Sequence, residues 1–262
     1  MIFVSILTSI KMEKAQKIDK ELADIVCKIN ASTIPHENCK ITTMTILVIL
    51  NYNVHLETFL RNYHDHDLNE WKIKPKSGFL NCILLHKKTT TGTVAVKLFS
   101  NGNLHITGVR YITDALVCSQ DIIQLLDNVF DINVYEIVDF DVQLMNSCLK
   151  FTLPDKRLIS LKAFHSILLD STPHLCIFNN DQHAGLRIKV LNEHCHKTSI
   201  IVFESGNVLI NAFVTATELF ESFSLIANYI QTHSKAILND APDTHMVKCK
   251  KDFDYKKYIV LK

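Results

Sequence analysis

The chain has 262 residues, of which 47% are hydrophobic and 21% charged, with 6 Gly, 5 Pro and a formal net charge of +1. This length allows one or two domains with a sizeable core, and the apolar fraction excludes a disordered chain. The scarcity of Gly and Pro excludes collagen-like and low-complexity proteins. The near-neutral charge argues at first against nucleic-acid binding, because neutralising phosphates usually requires a surplus of basic residues.

The eight cysteines are scattered without a Cys-x-x-Cys pair, and several lie in apolar runs. This pattern is typical of reduced, buried thiols in an intracellular protein and not of a disulfide framework. The apolar segment 1–11 is too short to span a membrane and lacks the flanks of a signal peptide, so we expect a dispensable extension or a misassigned start there. Residues 12–32 have apolar positions at helical spacing, which predicts an amphipathic helix leading into the main body.

An internal repeat with an offset of 104 residues is the most informative feature of the sequence. Residues 96–107 and 200–211 share Phe, Gly, Asn and Ile at equivalent positions and the same alternation of side chains. Each segment predicts two strands joined by a tight turn, because the Asn-Gly and Ser-Gly pairs at 101–102 and 205–206 supply the positive φ that such turns need.

The elements around the hairpins follow the same order in each repeat: a strand, a short helix, three strands and a long helix. Thr113 and Thr217, at the same offset, are predicted to cap the long helices. We therefore predict an α+β fold in which the two repeats merge into one pseudo-symmetric body, with a single antiparallel sheet and helices on one face. The predicted divisions are an N-terminal extension at 1–38, repeats at 39–135 and 136–238, and a basic and aromatic tail at 239–262.

The second hairpin breaks the apolar and polar alternation expected of a sheet with one face in water. One of its faces is aliphatic and carries Ile200, Val202, Val208 and Ile210. The opposite face carries Ile201, Phe203, Leu209 and Asn211. If helices cover the first set, the second forms an exposed apolar patch, which indicates a binding surface. The alternative is a hairpin buried on both sides by the chain's own helices.

In this element order the two hairpins resemble the TATA-binding protein family, whose hairpins read aliphatic-x-Phe-x-Ser-Gly-Lys-x-Val-x-Thr-Gly. The resemblance covers roughly residues 40–238 and is most specific at 97–108 and 201–212. It implies a saddle with a curved antiparallel sheet and helices on the convex face. It also implies that the concave face enters the minor groove of AT-rich DNA, where paired phenylalanines wedge between base steps and bend the duplex, as the TATA-binding protein itself does.

The resemblance assigns wedge positions at the two ends of the sheet. Phe99 and Phe203 fall on the wedge positions of the hairpins, and Phe79 falls on the partner position of the first half. His183 stands where the second half would carry its partner Phe, and another register would place Phe178 there. Strand parity and the family pattern add the other predicted DNA contacts: Thr43, Thr45, Asn81, Lys97, His105, Thr107, Val142, Leu144, Arg187, Lys189, Ile201, Leu209 and Asn211.

The opening strands match the family least well. The family's paired Asn residues, which hydrogen-bond to bases at the centre, align here with Thr43 and with Val142 or Leu144. This replacement removes central donors that read the degenerate acceptor pattern of the minor groove, so we expect a relaxed TATA preference.

The resemblance also implies protein partners, because residues 191–199 correspond to a stirrup loop that reaches a transcription factor IIB-type partner. The predicted partner-contacting residues are Lys87, Lys88, Glu193, His194 and His196. The expected partners are AT-rich double-stranded DNA, transcription factor IIB-like and other initiation proteins, and the RNA polymerase machinery, with no membrane.

Two histidine-containing segments, 64–67 and 194–196, are better explained as solvated loops than as metal sites, because neither has a second ligand pair at finger spacing. No catalytic motif is present, so we predict neither an enzyme nor a metal or cofactor. The basic and aromatic tail from 248 onward either touches phosphates, packs as a strand or is a solvated end.

The leading hypothesis is a TATA-binding-protein-like initiation factor that binds and bends AT-rich DNA and recruits other initiation proteins. One alternative is a protein-interaction scaffold that keeps the saddle with weak or lost DNA binding. A further alternative is a helix-on-sheet ligand-binding domain with a closed apolar pocket. The bias toward Ile, Asn and Lys fits an AT-rich genome, so we expect a divergent member from a large DNA virus or a protist, located in the nucleus or in a viral factory or virion.

Overall fold

The computed structural model describes residues 2–63, 71–73, 81–90, 92–179, 181, 183–190 and 198–240. Five α-helices and twelve β-strands are found in this part of the chain. In order they are α1 (Ile2–Asn30), β1 (His36–Leu50), α2 (Leu56–Asn62), β2 (Lys72–Ile73), β3 (Cys82–Thr89), β4 (Gly92–Phe99), β5 (Asn103–Val109), α3 (Ile112–Phe130), β6 (Ile137–Phe151), β7 (Leu158–Ile159), α4 (Leu161–Ser171), β8 (Leu175–Ile177), β9 (Leu186–Lys189), β10 (Ser199–Val202), β11 (Asn207–Phe213), α5 (Ala216–Ile237) and β12 (Leu238–Asn239).

Ten of the described strands form one antiparallel sheet, in the order β2-β3-β4-β5-β1-β6-β11-β10-β9-β8. Strands β1 and β6, of 15 residues each, lie at its centre and pair along nearly their whole length. Because β1 opens the first repeat and β6 the second, the two repeats merge at this pair, as predicted. Each half contains one strand more than expected, β2 in the first and β8 in the second, while β7 and β12 pair separately.

The helices cover one face of the sheet and bury its apolar side chains. Ile46 of β1, Val96 of β4 and Ile200 of β10 are fully buried on this side. Each such aliphatic side chain contributes about 1.5–3 kcal/mol when it is removed from water. The predicted α+β architecture, with helices on one face of one antiparallel sheet, is confirmed. No helix in the described part of the chain is long and apolar enough to cross a membrane.

The N-terminal helix α1 packs against both halves of the molecule. It contacts α3 and α5 as well as β1 and β6. Lys14 lies 3.4 Å from the Asp139 carboxylate at the start of β6, and Lys28 lies 4.1 Å above the Phe220 ring of α5. Helix α1 begins at Ile2, so residues 2–11 of the segment that we expected to be a dispensable extension or a misassigned start continue the predicted helix.

Helix α3 takes its N-terminal cap from α1. Its N-cap residue, Tyr111, makes no side-chain capping hydrogen bond. Instead the Asp19 carboxylate accepts hydrogen bonds from the backbone N–H groups of Ile112 at 2.7 Å and Thr113 at 3.0 Å, and from the Thr113 hydroxyl at 2.9 Å. A carboxylate at this end also interacts favourably with the helix dipole. The prediction that Thr113 caps the helix is therefore wrong.

Helix α5 is capped from within its own repeat. The Thr215 hydroxyl accepts a hydrogen bond from the Glu218 N–H at 3.2 Å, and the Glu218 carboxylate accepts one from the Val214 N–H at 2.8 Å. The Glu218 N–H is one of the first-turn donors that have no partner within the helix, and the Val214 bond ties the preceding residue to the same turn. The predicted cap Thr217 is wrong by two residues, because the helix begins after Thr215.

The six described cysteines are free thiols, and four of them are buried. Burial, assisted by the nearby Cys148, raises the pKa of Cys39 to about 12. Burial also raises the pKa of Cys118 to about 11. Both groups are therefore neutral, unreactive thiols, which agrees with their predicted role as small hydrophobic side chains.

Candidate nucleic-acid interface

The sheet face opposite the helices carries a mixture of apolar, aromatic and basic side chains. We call this surface the open face, and its described residues include Thr43, Thr45, Leu47, Ile49, Leu84, Lys97, Phe99, His105, Thr107, Leu144, Asn146, Cys148, Arg187, Lys189, Ile201, Phe203, Leu209 and Asn211. It spans both halves, because strands of both repeats contribute to it.

The second hairpin is apolar on both faces, as predicted. Val202 and Val208 on the helix side are fully buried. On the open face Phe203 and Leu209 are only partly buried, and Ile201 is 8% exposed without belonging to the helix-side core. Ile201 is thus buried, and the accessible surface of Phe203 and Leu209 is what favours the exposed patch over a hairpin covered on both sides and over the closed pocket that the ligand-binding alternative requires.

In the first half, Lys97 and His105 lie opposite each other on β4 and β5, and Leu47 of β1 continues the row. Burial, assisted by the Lys97 ammonium, lowers the pKa of His105, so its ring is neutral at physiological pH. Phe99 lies at the end of β4, half-buried and opposite Cys82. Among the described residues, this end of the open face therefore combines the Phe99 ring with the polar side chains of Lys97 and His105.

The centre of the open face corrects one predicted contact. Thr45 lies opposite Leu144, whereas Ile46 lies opposite Val142, because the register of β1 with β6 shifts between Thr45 and Ile46. The shift directs Val142 toward the helices, where it packs against the core. Val142 is therefore wrong as an open-face residue, and of the two alternatives the structure places only Leu144 there.

Asn146 is a central polar residue that the sequence interpretation missed. It lies opposite Thr43 on the open face, and its side-chain oxygen accepts a hydrogen bond from the Ala212 N–H at 3.0 Å. That bond orients the amide and leaves its NH2 group as a donor without a partner among the described residues. Because alternate residues of a strand lie on the same face, counting two residues on from Leu144 along β6 could have identified Asn146.

At the second end of the open face the ring of His183 packs against that of Phe203 in a tilted arrangement. The ring centroids are 6.1 Å apart with an interplanar angle of 38°. His183 Nδ1 lies 3.0 Å from the Gly185 backbone nitrogen and 3.2 Å from the Gly185 carbonyl oxygen, so the backbone of Gly185 holds the ring in place. A Cβ at Gly185 would lie 2.7 Å from Cγ2 of Ile201, so glycine is required for this packing. Phe178, the alternative wedge, packs against the core instead.

Two cations flank this second aromatic end. Arg187 and Lys189 lie on β9, and they are paired with Ile177 and Leu175 of the edge strand β8. Both of these apolar residues are exposed, at 43% and 49%. The second end of the open face is therefore more apolar and also more basic than its centre.

Several predicted contacts have other environments or lie outside the described residues. Lys87 forms an ion pair with Asp121 of α3 at 2.9 Å, whereas Lys88 and Asn81 are exposed at the two ends of β3. Outside the described residues lie Phe79, Glu193, His194 and His196 and the two histidine-containing segments 64–67 and 194–196. Within the described part of the chain no group of three His, Cys, Asp or Glu could hold a metal ion.

Comparison with known proteins supports the fold. No protein-family profile and no curated protein matches the sequence. In structure the chain is similar to the TBP of Methanococcus jannaschii, with a TM-score of 0.53 and 17% sequence identity, over 74% of this chain and 98% of that one. At this identity the likeness concerns the fold. The predicted α+β, TBP-like architecture is therefore confirmed.

Proposed function

We propose that this chain is a TBP-like transcription initiation factor that binds AT-rich duplex DNA in the minor groove with its open face and bends it. The observation that carries the proposal is the presence of Phe99 and Phe203 on the same open face, one at each end of a sheet built from two repeats. Apolar wedges at two separated base steps are the device by which minor-groove proteins kink a duplex.

The composition of the open face fits a minor-groove contact. Its apolar centre, including Leu47 and Leu144, suits the sugar walls of the groove, and the Asn146 amide can donate to base acceptors. In this proposal Lys97, Arg187 and Lys189 contact phosphates. Apolar contact and DNA deformation supply part of the affinity, so a net charge of +1 is compatible with binding and predicts a shallow salt dependence.

By extension from the TBP-like fold, the helix-covered face would recruit a transcription factor IIB-like protein and other initiation factors. We place the protein in a large DNA virus or a protist with an AT-rich genome, and in the nucleus or in a viral factory or virion. These assignments rest on the composition and on the sequence resemblance.

The test is a gel-shift and fluorescence-transfer bending assay on AT-rich and GC-rich duplexes of equal length over a range of salt concentrations. We expect preferential binding and bending of the AT-rich duplex. Replacing both Phe99→Ala and Phe203→Ala should abolish the bend. Phe220→Ala, a half-buried aromatic residue on the helix side, is the matched control and should leave the bend unchanged. Folded protein that neither shifts nor bends either duplex at low salt would refute the proposal.

A protein-interaction scaffold is the second candidate, and the replacement of a wedge phenylalanine by His183 favours it. On this view the open face binds a protein, and DNA binding is weak or lost. A salt slope near zero, together with a stable protein partner that competes with DNA for the open face, would favour the scaffold over the DNA-bending factor.

A further inference from the structure

A cavity of about 300 Å³ lies on the helix side of the sheet, between the C-terminal half of α1, the start of β1 and the turn that leads into α3. We call it the α1 groove. Its floor is apolar and is formed by Leu22, Val26, Ile41 and Met44. Pockets of this kind, mostly apolar with a few polar groups, are typical binding sites.

One wall of the α1 groove is a free edge of the central sheet. Strand β1 pairs with β6 from His36 onward, but its pairing with β5 begins only at Met44. Among the described residues, no strand pairs with 36–43 on the β5 side. An unpaired edge of this kind offers main-chain donors and acceptors to another extended segment.

The side-chain amide of Asn30 hydrogen-bonds to part of that edge, as the backbone of a neighbouring strand would. The Cys39 N–H donates to Asn30 Oδ1 at 2.7 Å, and Asn30 Nδ2 donates to the Cys39 carbonyl oxygen at 3.2 Å. Ile41 lies two residues further along the same strand and lines the α1 groove. The edge beyond Asn30 is therefore available for further pairing.

The rim of the α1 groove is positively charged. Lys40 and Arg110 are both exposed and line it, and neither has a carboxylate within ion-pair distance in the described part of the chain. Asp19 is the acidic residue of the rim, and its oxygens are engaged by the first turn of α3. An occupant with acidic side chains would complement the two free cations.

We propose that the α1 groove binds an extended acidic peptide from a protein partner, which adds a strand to the free edge of β1. Alternate apolar side chains of the peptide lie on the floor against Ile41 and Met44. The intervening acidic side chains pair with Lys40 and Arg110. Main-chain pairing supplies affinity and the alternate side chains supply specificity, as in other cases of strand addition. The apolar floor of the site lies on the helix side of the sheet, and the proposal does not rest on the proposed DNA binding.

The probe is a fluorescein-labelled octapeptide in which leucine and aspartate alternate, and its binding to the full chain is measured by fluorescence anisotropy at low salt. The matched probe has lysine in place of every aspartate. We expect the acidic peptide to bind at least about tenfold more tightly than the basic one, with an affinity that falls as salt rises. Equal affinity for the two peptides would overturn the proposal.

Two variants and one control locate the binding to the groove. Arg110→Glu should weaken the acidic peptide about tenfold, and Ala23→Trp, at an exposed position that lines the groove, should abolish binding by filling it. Lys235→Glu makes the same charge change on exposed α5 and should have no effect. Far-ultraviolet circular dichroism checks that each variant is folded. An Arg110→Glu variant that binds like the parent would overturn the proposal, even if Ala23→Trp fails to fold.

Amide hydrogen exchange tests the strand addition itself. The acidic peptide should slow exchange at residues 39–43 of β1, because their free edge becomes paired. Peptide binding without any added protection there would contradict pairing with β1.

Discussion

The two halves of the molecule begin their long helices in different ways, although they descend from one repeat pattern. Helix α5 is capped by Thr215 and Glu218 of its own repeat, whereas α3 is capped by Asp19 of α1. The first repeat is therefore completed by a segment outside it, and the second is not. The boundary predicted at residue 38 separates two parts of the sequence that the structure joins.

The halves also differ at the ends of the open face. Phe99 lies opposite Cys82, whereas Phe203 packs against the tilted ring of His183, beside a strand that carries Arg187. The second end thus combines a phenylalanine ring with an imidazole ring and a cation. If the open face contacts DNA, its two ends present different side chains to the duplex. The two orientations of the pseudo-symmetric molecule on DNA are then not equivalent.

The largest expected effect tests whether the halves fold as one unit. Phe59 of α2 and Phe164 of α4 are fully buried at corresponding places in the two repeats. Phe59→Ala and Phe164→Ala should each lower the free energy of unfolding by about 3–5 kcal/mol. Because β1 and β6 pair along nearly their whole length, we expect a single urea transition for both variants. Two separate transitions would show that the halves unfold independently.

The second-largest expected effect compares the cap that α3 receives from α1 with the cap that α5 receives from its own repeat. Asp19→Ala removes three hydrogen bonds to the start of α3 and should destabilise the protein by about 2 kcal/mol. Thr215→Ala removes one at α5 and should cost about 1 kcal/mol. Urea unfolding of both variants measures the difference, and Asp19→Asn is the control that keeps an acceptor oxygen. A smaller loss for Asp19→Ala than for Thr215→Ala would contradict the importance of the α1 contact.

The smallest expected effect is on the pH dependence of the protein's stability, to which one histidine in each half contributes. Burial lowers the pKa of His105 in the first half, where Lys97 contributes, and of His174 in the second, from the ordinary value of 6.5. The folded state then binds fewer protons than the unfolded state, so their stabilising contribution is fully present above the ordinary value and is lost as the pH falls from that value through the lowered pKa of the folded state. His105→Gln and His174→Gln should each reduce the drop in urea midpoint between pH about 7.5 and about 5.5. An unchanged drop in both variants would show that other groups cause it.

The hairpins were predictable because their information is local. The turn glycines at 102 and 206 and the alternation around them are read directly from the sequence, and both strands and turns are observed. The placement of Val142 was not predictable, because it depends on where a bulge shifts the register between two strands about a hundred residues apart. Counting alternate residues along one strand cannot reveal a shift that exists only in the pairing.

Local sequence information likewise determines most of the open face but not the contacts on the helix side. The repeat, the apolar alternation and the turn chemistry establish the α+β fold and most of the open face, because side chains of one strand alternate whatever the strand packs against. The cap that Asp19 provides to α3 and the free edge of β1 beneath α1 have no counterpart in any local pattern. They arise when α1 packs between distant elements, since a carboxylate and the helix start that it stabilises need only be close in space.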